Sequence, residues 1–104
     1  MMNRITGDFH TRKVMMDGTP LDPRISQKLR NHSRDGFAWG YGGSGPAQLA
    51  LAILERMTSN RDVALRWYQD FKWAVIATLP ENNFDLSIDI QAWISEQEAK
   101  EGAP

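Results

Sequence analysis

The chain has 104 residues, of which 41% are hydrophobic and 24% are charged, and its formal net charge is −1. This is the composition of a globular domain, and it excludes a chain that is disordered throughout. The absence of cysteine excludes disulfides and thiolate metal sites, and no apolar run approaches the ~18 residues of a membrane span. The N-terminus also lacks the apolar stretch of a signal peptide. We therefore expect a single domain over residues 1–104, located in the cytoplasm, with no cofactor.

The charge is unevenly distributed along the chain. Residues 1–40 hold seven Lys or Arg against four Asp or Glu, whereas residues 41–104 hold five against nine. Much of the positive charge lies in residues 24–34. Such a segment can face phosphate or an acidic partner.

The first forty residues read as strands and turns. Residues 4–10 alternate between apolar and polar, as a half-buried strand does. Asp17-Gly18, between short apolar runs, predicts a hairpin because both residues tolerate positive φ. Pro20 limits the return strand to a short or edge position. Residues 24–35 fit either a helical turn or an irregular crossover.

The stretch GFAWGY, residues 36–41, predicts a further strand. Phe37, Trp39 and Tyr41 alternate with Ala38 and Gly40, which would place three aromatic rings on one buried face.

The remainder of the chain predicts helices. Ser44-Gly45-Pro46 is a helix start, and a run with one polar residue, Gln48, follows to Leu54, which indicates a buried helix. A second helix is predicted from residues 59–62 to about Leu79. A third is predicted from near Ser87 or Asp89, with a frayed tail over residues 97–104. The predicted fold is α+β: a small antiparallel sheet, formed by the N-terminal hairpin and the GFAWGY strand, packed against about three C-terminal helices.

The core G-F-x-W-G-Y-x-G-S-x-P-x-Q-L-A-L-A, residues 36–52, resembles a family of small uncharacterised bacterial, plasmid and phage proteins, a domain of unknown function. The resemblance extends from the D-G-x-x-L hairpin at Asp17 to Trp93. It carries over no catalytic residue, and it implies an accessory role in phage or mobile elements.

The glycine-rich stretch G-Y-G-G-S-G allows two interpretations. Dinucleotide binding requires a parallel strand after the helix, and a second helix is predicted there instead. In the first interpretation the glycines have a structural role: they allow positive φ and let the buried helix approach the sheet closely. These residues are Gly40, Gly42, Gly43 and Gly45. Alternatively, free N–H groups at the helix start could bind an anion or small ligand, at Gly43, Ser44, Gly45 and Ala47.

Catalytic and metal sites have little support in the sequence. His32, Ser33 and Asp35 resemble parts of a catalytic triad with Ser44, but a role as turn residues explains them better. We therefore predict no catalytic residue, and the sequence leans against an enzyme without deciding the question. The two histidines are far apart in sequence, which gives no metal-ligand spacing.

Protein binding is the function that the sequence favours. The candidate partner-binding residues are Arg30, His32, Arg34 and Trp73. We expect Trp73 to pack against the last helix, with exposure as a binding anchor as the alternative. The first alternative function is anion or nucleotide binding at the glycine-rich helix start. The second is nucleic-acid binding through residues 24–34, with Trp39 or Tyr41 as stacking platforms.

Overall fold

The computed structural model describes residues 1–102 and shows an α+β fold with a small antiparallel sheet and four α-helices, which confirms the predicted fold class. The strands are β1 (Asn3–Gly7), β2 (Val14–Met16), β3 (Thr19–Pro20) and β4 (Phe84–Ile88). The helices are α1 (Pro23–Leu29), α2 (Ser44–Thr58), α3 (Arg61–Ala74) and α4 (Ile90–Glu101), and a 3₁₀ turn, Ile76–Thr78, follows α3. Every helix within residues 1–102 is too short or too polar to cross a bilayer.

The sheet has the strand order β3-β2-β1-β4, with every neighbouring pair antiparallel. The predicted hairpin turn is confirmed: Asp17 and Gly18 join β2 to β3 with φ values of 52° and 81°. The carboxylate of Asp17 also accepts hydrogen bonds from the Asn3 side chain and the Arg4 amide, both at 2.8 Å. The turn is thereby tied to the central strand β1.

Helix α2 occupies the centre of the molecule, as its apolar sequence predicts. Ten consecutive residues, from Gly45 to Leu54, are buried, and the helix packs against α1, α3 and α4. It shares one core with Ile5, Val14 and Met16, which point from the sheet towards the helices. Nearly every face of α2 is covered by other elements. The helix is therefore stabilised mainly by tertiary packing, and it does not need the polar, solvent-exposed face of an amphipathic surface helix.

Helix α3 begins as predicted, at a cap in the segment 59–62. The side chain of Asn60 accepts hydrogen bonds from the amides of Asp62 and Val63, which satisfies two donors of the first turn. The predicted helix to Leu79 is shorter, because Val75 leaves the helical conformation (φ −124°, ψ −60°) before the 3₁₀ turn.

The predicted strand over residues 36–41 is wrong. These residues form an irregular segment in which Phe37 and Trp39 are buried, whereas Tyr41 is 49% exposed. Gly36 and Gly40 have left-handed φ values of 103° and 86°, which interrupt an extended strand on both sides of Trp39. The buried indole instead donates to the Asn82 carbonyl at 2.8 Å.

The fourth strand lies later in the chain, where the sequence reading placed only a loop and a helix start. Residues 84–88, FDLSI, pair along β1 with the register Ile5 opposite Leu86. The aromatic ring of Phe84 packs edge-on against Trp39 at 4.9 Å between centroids.

The ambiguous segment 24–35 is helical in its first part, since α1 extends to Leu29. Helix α4 begins after the Asp89 cap, close to the predicted start, and continues to Glu101. Fraying of residues 97–104 stays a prediction, and its last two residues lie outside the described range.

Candidate binding site at the start of helix α2

The glycine-rich segment is built for close packing. Of its four glycines, only Gly40 has a positive φ, so the predicted positive φ at Gly42, Gly43 and Gly45 is wrong. A Cβ atom at Gly42 would collide with the Trp73 ring, one at Gly43 with the Tyr41 ring, and one at Gly45 with Ala38. The absence of a side chain at these three positions therefore lets aromatic rings and backbone approach the helix start.

The helix start offers fewer free donors than the sequence suggests. The amide of Ala47 donates to the Gly43 carbonyl at 3.0 Å, so the predicted free N–H at Ala47 is wrong. Pro46 has no N–H, and Gly45 is buried. Ser44 is the exposed member of the predicted anion-binding set. Moreover, α2 is followed directly by α3, so the strand–helix–strand unit of a dinucleotide site does not form here.

Gln48, on the first turns of α2, organises the loop that precedes the glycine-rich segment. Its side chain is fully buried, and its Oε1 accepts from the amides of His32 and Ser33 at 2.7 and 3.1 Å. Its Nε2 donates to the Ser26 hydroxyl at 2.9 Å and the Arg30 carbonyl at 3.1 Å. Every hydrogen-bonding position of the amide is therefore used, which fixes residues 30–33 against α2.

His32 is held inside this network. Its Nε2 lies 2.6 Å from the Tyr68 hydroxyl, and the two rings are 5.4 Å apart. Burial, together with the positive charges of Arg30 and Lys72, holds the pKa of His32 below its ordinary value. The imidazole is therefore partly buried and in contact with Tyr68, whereas Arg30 and Arg34 are exposed.

Trp73, near the end of α3, is exposed, so its predicted burial against the last helix is wrong. Its side chain is 60% exposed, whereas Trp93 of α4 packs edge-on against Phe71 at 5.0 Å between ring centroids. One edge of the Trp73 ring contacts Gly42. The ammonium of Lys72 lies 4.4 Å from the ring centroid, within cation–π distance.

Tyr41 and Trp73 are both exposed, and we call the pair the aromatic patch. The Tyr41 ring lies against Gly43 and the Trp73 ring against the adjacent Gly42, so two exposed rings sit on consecutive glycines. Lys72, which is only 8% exposed, places a positive charge beside the patch. Arg30, Arg34 and Lys72 make no ion pair with a carboxylate of residues 1–102.

The other surfaces carry weaker signals. A cleft of about 600 Å³ lies between β2, β3 and the start of α1, with Met15 and Phe37 in its wall and Arg12 and Asp35 beside it. Arg24, predicted as part of the basic segment, is occupied by an ion pair with Asp22. The described part of the chain holds no group of three or more His, Asp or Glu residues that could bind a metal ion.

The nucleic-acid interpretation loses part of its basis. Trp39 is fully buried, so the prediction that it could serve as a stacking platform is wrong, while Tyr41 stays available. The role of Gln48 in holding the loop 30–33 was not predicted from the sequence. The available signal was that Gln48 is the one polar residue in an otherwise apolar run of the helix, which indicates a buried amide with hydrogen-bond partners.

Comparison with known proteins gives the family and nothing beyond it. Neither the curated proteins nor the solved structures contain a match to the chain. A family model described as a family of unknown function, DUF6166, matches residues 4–96, which is nearly the whole sequence. The chain therefore belongs to the DUF6166 family of unknown function.

Proposed function

We propose that the protein is a small accessory module that binds another protein through the aromatic patch. The observation that carries the proposal is the exposure of both Trp73 and Tyr41, whose rings contact the adjacent Gly42 and Gly43. Small domains use their large aromatic residues to fill the core, and Phe71, Trp67 and Trp39 do so here. A tryptophan and a tyrosine left together on the surface are instead the residue types that dominate binding energy at protein interfaces.

The patch is preorganised, which favours binding. Trp73 is supported by Gly42 and by the Lys72 ammonium, and Tyr41 is supported by Gly43. These contacts restrict the two rings, so less conformational entropy is lost when a partner covers them.

The charge around the patch favours an acidic partner. The ammonium of Lys72 lies beside Trp73, and the exposed Arg30 belongs to the loop that Gln48 holds against α2. The N-terminal dipole of α2 adds a partial positive charge at Ser44. We therefore expect the partner to place an acidic side chain next to the apolar group that covers Trp73.

The test compares partners recovered from host cells with three baits: the unchanged protein, Trp73→Ala, and Ile25→Ala. Ile25 is also an exposed apolar residue, at 56%, but it lies on α1. We expect Trp73→Ala to lose the partner and Ile25→Ala to retain it, because truncating an anchor typically costs about 2 kcal/mol or more. Equal recovery by all three baits would contradict the proposal.

A charge-reversal variant tests the second part of the proposal. Arg30→Glu should weaken the same association, and added salt should weaken binding of the unchanged protein. An association that neither change affects would exclude an acidic partner while leaving the role of Trp73 intact. A link to phage or mobile elements stays a prediction from the resemblance.

Anion binding at the start of α2 is the second candidate, because Lys72 lies beside the segment that leads into Ser44 and makes no ion pair in residues 1–102. Melting temperatures measured with phosphate, ATP, NAD and short oligonucleotides distinguish the candidates. A ligand at ~100 times its dissociation constant adds about 2.7 kcal/mol, which raises melting by several degrees. A shift with phosphate or nucleotide that Lys72→Met abolishes would favour anion binding over the aromatic patch.

A further inference from the structure

Strand β4 has an open edge. It pairs with β1 on one side, and the sheet order β3-β2-β1-β4 places no strand on its other side. The opposite edge of the sheet is the two-residue β3, which contains Pro20 and offers little pairing capacity. β4 is therefore the longer edge strand among the described residues, and a regular, unprotected edge is a template for pairing with another chain.

The register identifies the backbone groups that point outwards. The Asp17 amide donates to the Arg4 carbonyl at 2.8 Å and the Asp8 amide to the Lys13 carbonyl at 3.0 Å, so the even-numbered residues of β1 face β2. Backbone groups alternate along an antiparallel strand, so Ile5 faces its register partner Leu86. The N–H and C=O groups of Asp85 and Ser87 then point away from β1.

These outward groups are accessible. Asp85 and Ser87 are exposed, and no hydrogen bond from within residues 1–102 reaches their outward backbone groups. On the inner face, Leu86 and Ile88 are only partly buried at the rim of the core. The edge thus combines unpaired backbone with apolar side chains that a neighbouring strand would cover.

We propose that two copies of the chain pair antiparallel through β4, with Leu86 opposite Leu86 of the second copy, and form one continuous sheet. In this register all five residues of β4 are paired. Asp85 lies opposite Ser87 and Phe84 opposite Ile88, so apolar residues meet apolar residues and no acid meets an acid.

Charge selects this register over its neighbours. Only residues whose backbone N–H and C=O groups point away from β1 can form hydrogen bonds with the second copy. The register can therefore shift only in steps that keep these residues opposite each other, and the two adjacent symmetric registers are centred on Asp85 or on Ser87. The first places Asp85 opposite Asp85 of the second copy, and the second places Asp85 opposite Asp89. Like charges directly opposite each other destabilise a strand pair. A five-residue strand pair buries less than the roughly 1,000 Å² of a stable interface, so the dimer forms at high protein concentration.

Sedimentation of the whole chain over a concentration range that reaches about 1 mM measures this association. Ser87→Pro is the decisive variant, because proline removes one outward N–H while the hydrogen bonds between β4 and β1 stay intact. We expect the unchanged protein to dimerise with rising concentration and Ser87→Pro to stay monomeric with an unchanged circular dichroism spectrum. A monomer at every concentration, or a dimer that Ser87→Pro retains, would overturn the proposal.

A matched charge pair keeps the test decisive if the proline variant does not fold. Residue 87 lies opposite Arg4 on β1, which also pairs with Asp85 of the same chain, so Ser87→Asp places its charge beside a cation in the monomer but opposite Asp85 of the second copy in the dimer. We expect Ser87→Asp to raise the dimer dissociation constant roughly two- to tenfold, less so in high salt, and its isostere Ser87→Asn to leave it unchanged. Equal constants for the two variants, or a dimer that Trp73→Ala abolishes, would place the contact elsewhere.

Discussion

Gln48 shows how one polar residue can define a surface loop from inside the core. Its amide holds two backbone N–H groups, one backbone carbonyl and one hydroxyl of the segment that leads to the glycine-rich segment. A buried amide without these partners would be strongly destabilising. Helix α2 can therefore pack in this position only when the loop adopts the conformation that supplies the partners of Gln48. His32, whose amide is one of the four partners, is thereby positioned against Tyr68.

The pH dependence of stability should report this position of His32. The folded-state pKa of His32 is lowered, so as pH falls through the ordinary value near 6.5, the unfolded chain takes up a proton that the folded protein resists. The free energy of unfolding should therefore be fully maintained above pH 7 and should decrease between about pH 7 and pH 5. Urea denaturation at a series of pH values measures this slope.

Two histidine variants separate this effect from other titrations. His32→Gln should flatten the slope, whereas His10→Gln, at an exposed position, should retain it. The carboxylates with perturbed pKa values, Asp17 and Asp85 among them, are shifted downwards and titrate below this window. An unchanged slope in His32→Gln would show that the proton uptake occurs elsewhere.

At the level of elements, the glycines before and within α2 should differ sharply in their tolerance of alanine. At Gly45 the new Cβ meets the backbone and Cβ of Ala38, which cannot move without shifting the loop, so Gly45→Ala should cost about 1–3 kcal/mol. At Gly42 the new Cβ meets only the outer edge of the Trp73 ring, which is exposed and can turn away. Gly42→Ala should therefore cost less than about 1 kcal/mol, as measured by urea denaturation.

The same pair of variants tests whether the loop supports the aromatic patch. Gly42→Ala should reduce partner recovery as Trp73→Ala does, because it displaces the ring without unfolding the protein. If Gly42→Ala and Gly45→Ala lower the free energy of unfolding equally, the Trp73 ring is held as rigidly against Gly42 as Ala38 is against Gly45. The effect of Gly42→Ala on binding could then not be distinguished from a loss of stability.

The element that the sequence reading misplaced is the fourth strand. Both GFAWGY and FDLSI alternate in the manner of strands, but only GFAWGY, with its three aromatic residues, was predicted to be one. The decisive information was local backbone geometry: Gly36 and Gly40 adopt positive φ and break the first segment, whereas residues 84–88 contain no such residue. By contrast, the Asp17-Gly18 hairpin and the buried helix α2 were predictable, because turn chemistry and apolar periodicity are encoded within a few residues.

At the level of the whole molecule, the unpredictable feature was which distant segments meet. The central strand β1 pairs with β2 nearby in sequence but also with β4, where Asn3 lies opposite Ile88. No local sequence pattern specifies such a pairing. It depends on which side of β1 still has unpaired backbone groups after the rest of the chain has packed. The exposure of Trp73 has the same origin, since α4 packs its Trp93 against Phe71 of α3 and leaves Trp73 at the surface.

This topology predicts the order of folding events. Helices α2 and α3 are adjacent in sequence and make the most extensive contact between elements, whereas pairing of β1 with β4 closes nearly the whole chain. Because the entropy of closing a long loop is lost before its contacts form, β1 should dock after the rate-limiting step.

Two matched variants test this order. Ile5→Val in β1 and Ile53→Val in α2 remove the same methyl group from fully buried sites, each at a cost of about 1 kcal/mol. In stopped-flow chevron experiments, Ile53→Val should slow folding, whereas Ile5→Val should mainly accelerate unfolding. If Ile5→Val slows folding as much as Ile53→Val, the sheet forms together with the helical pair, and long-range closure is part of the folding nucleus.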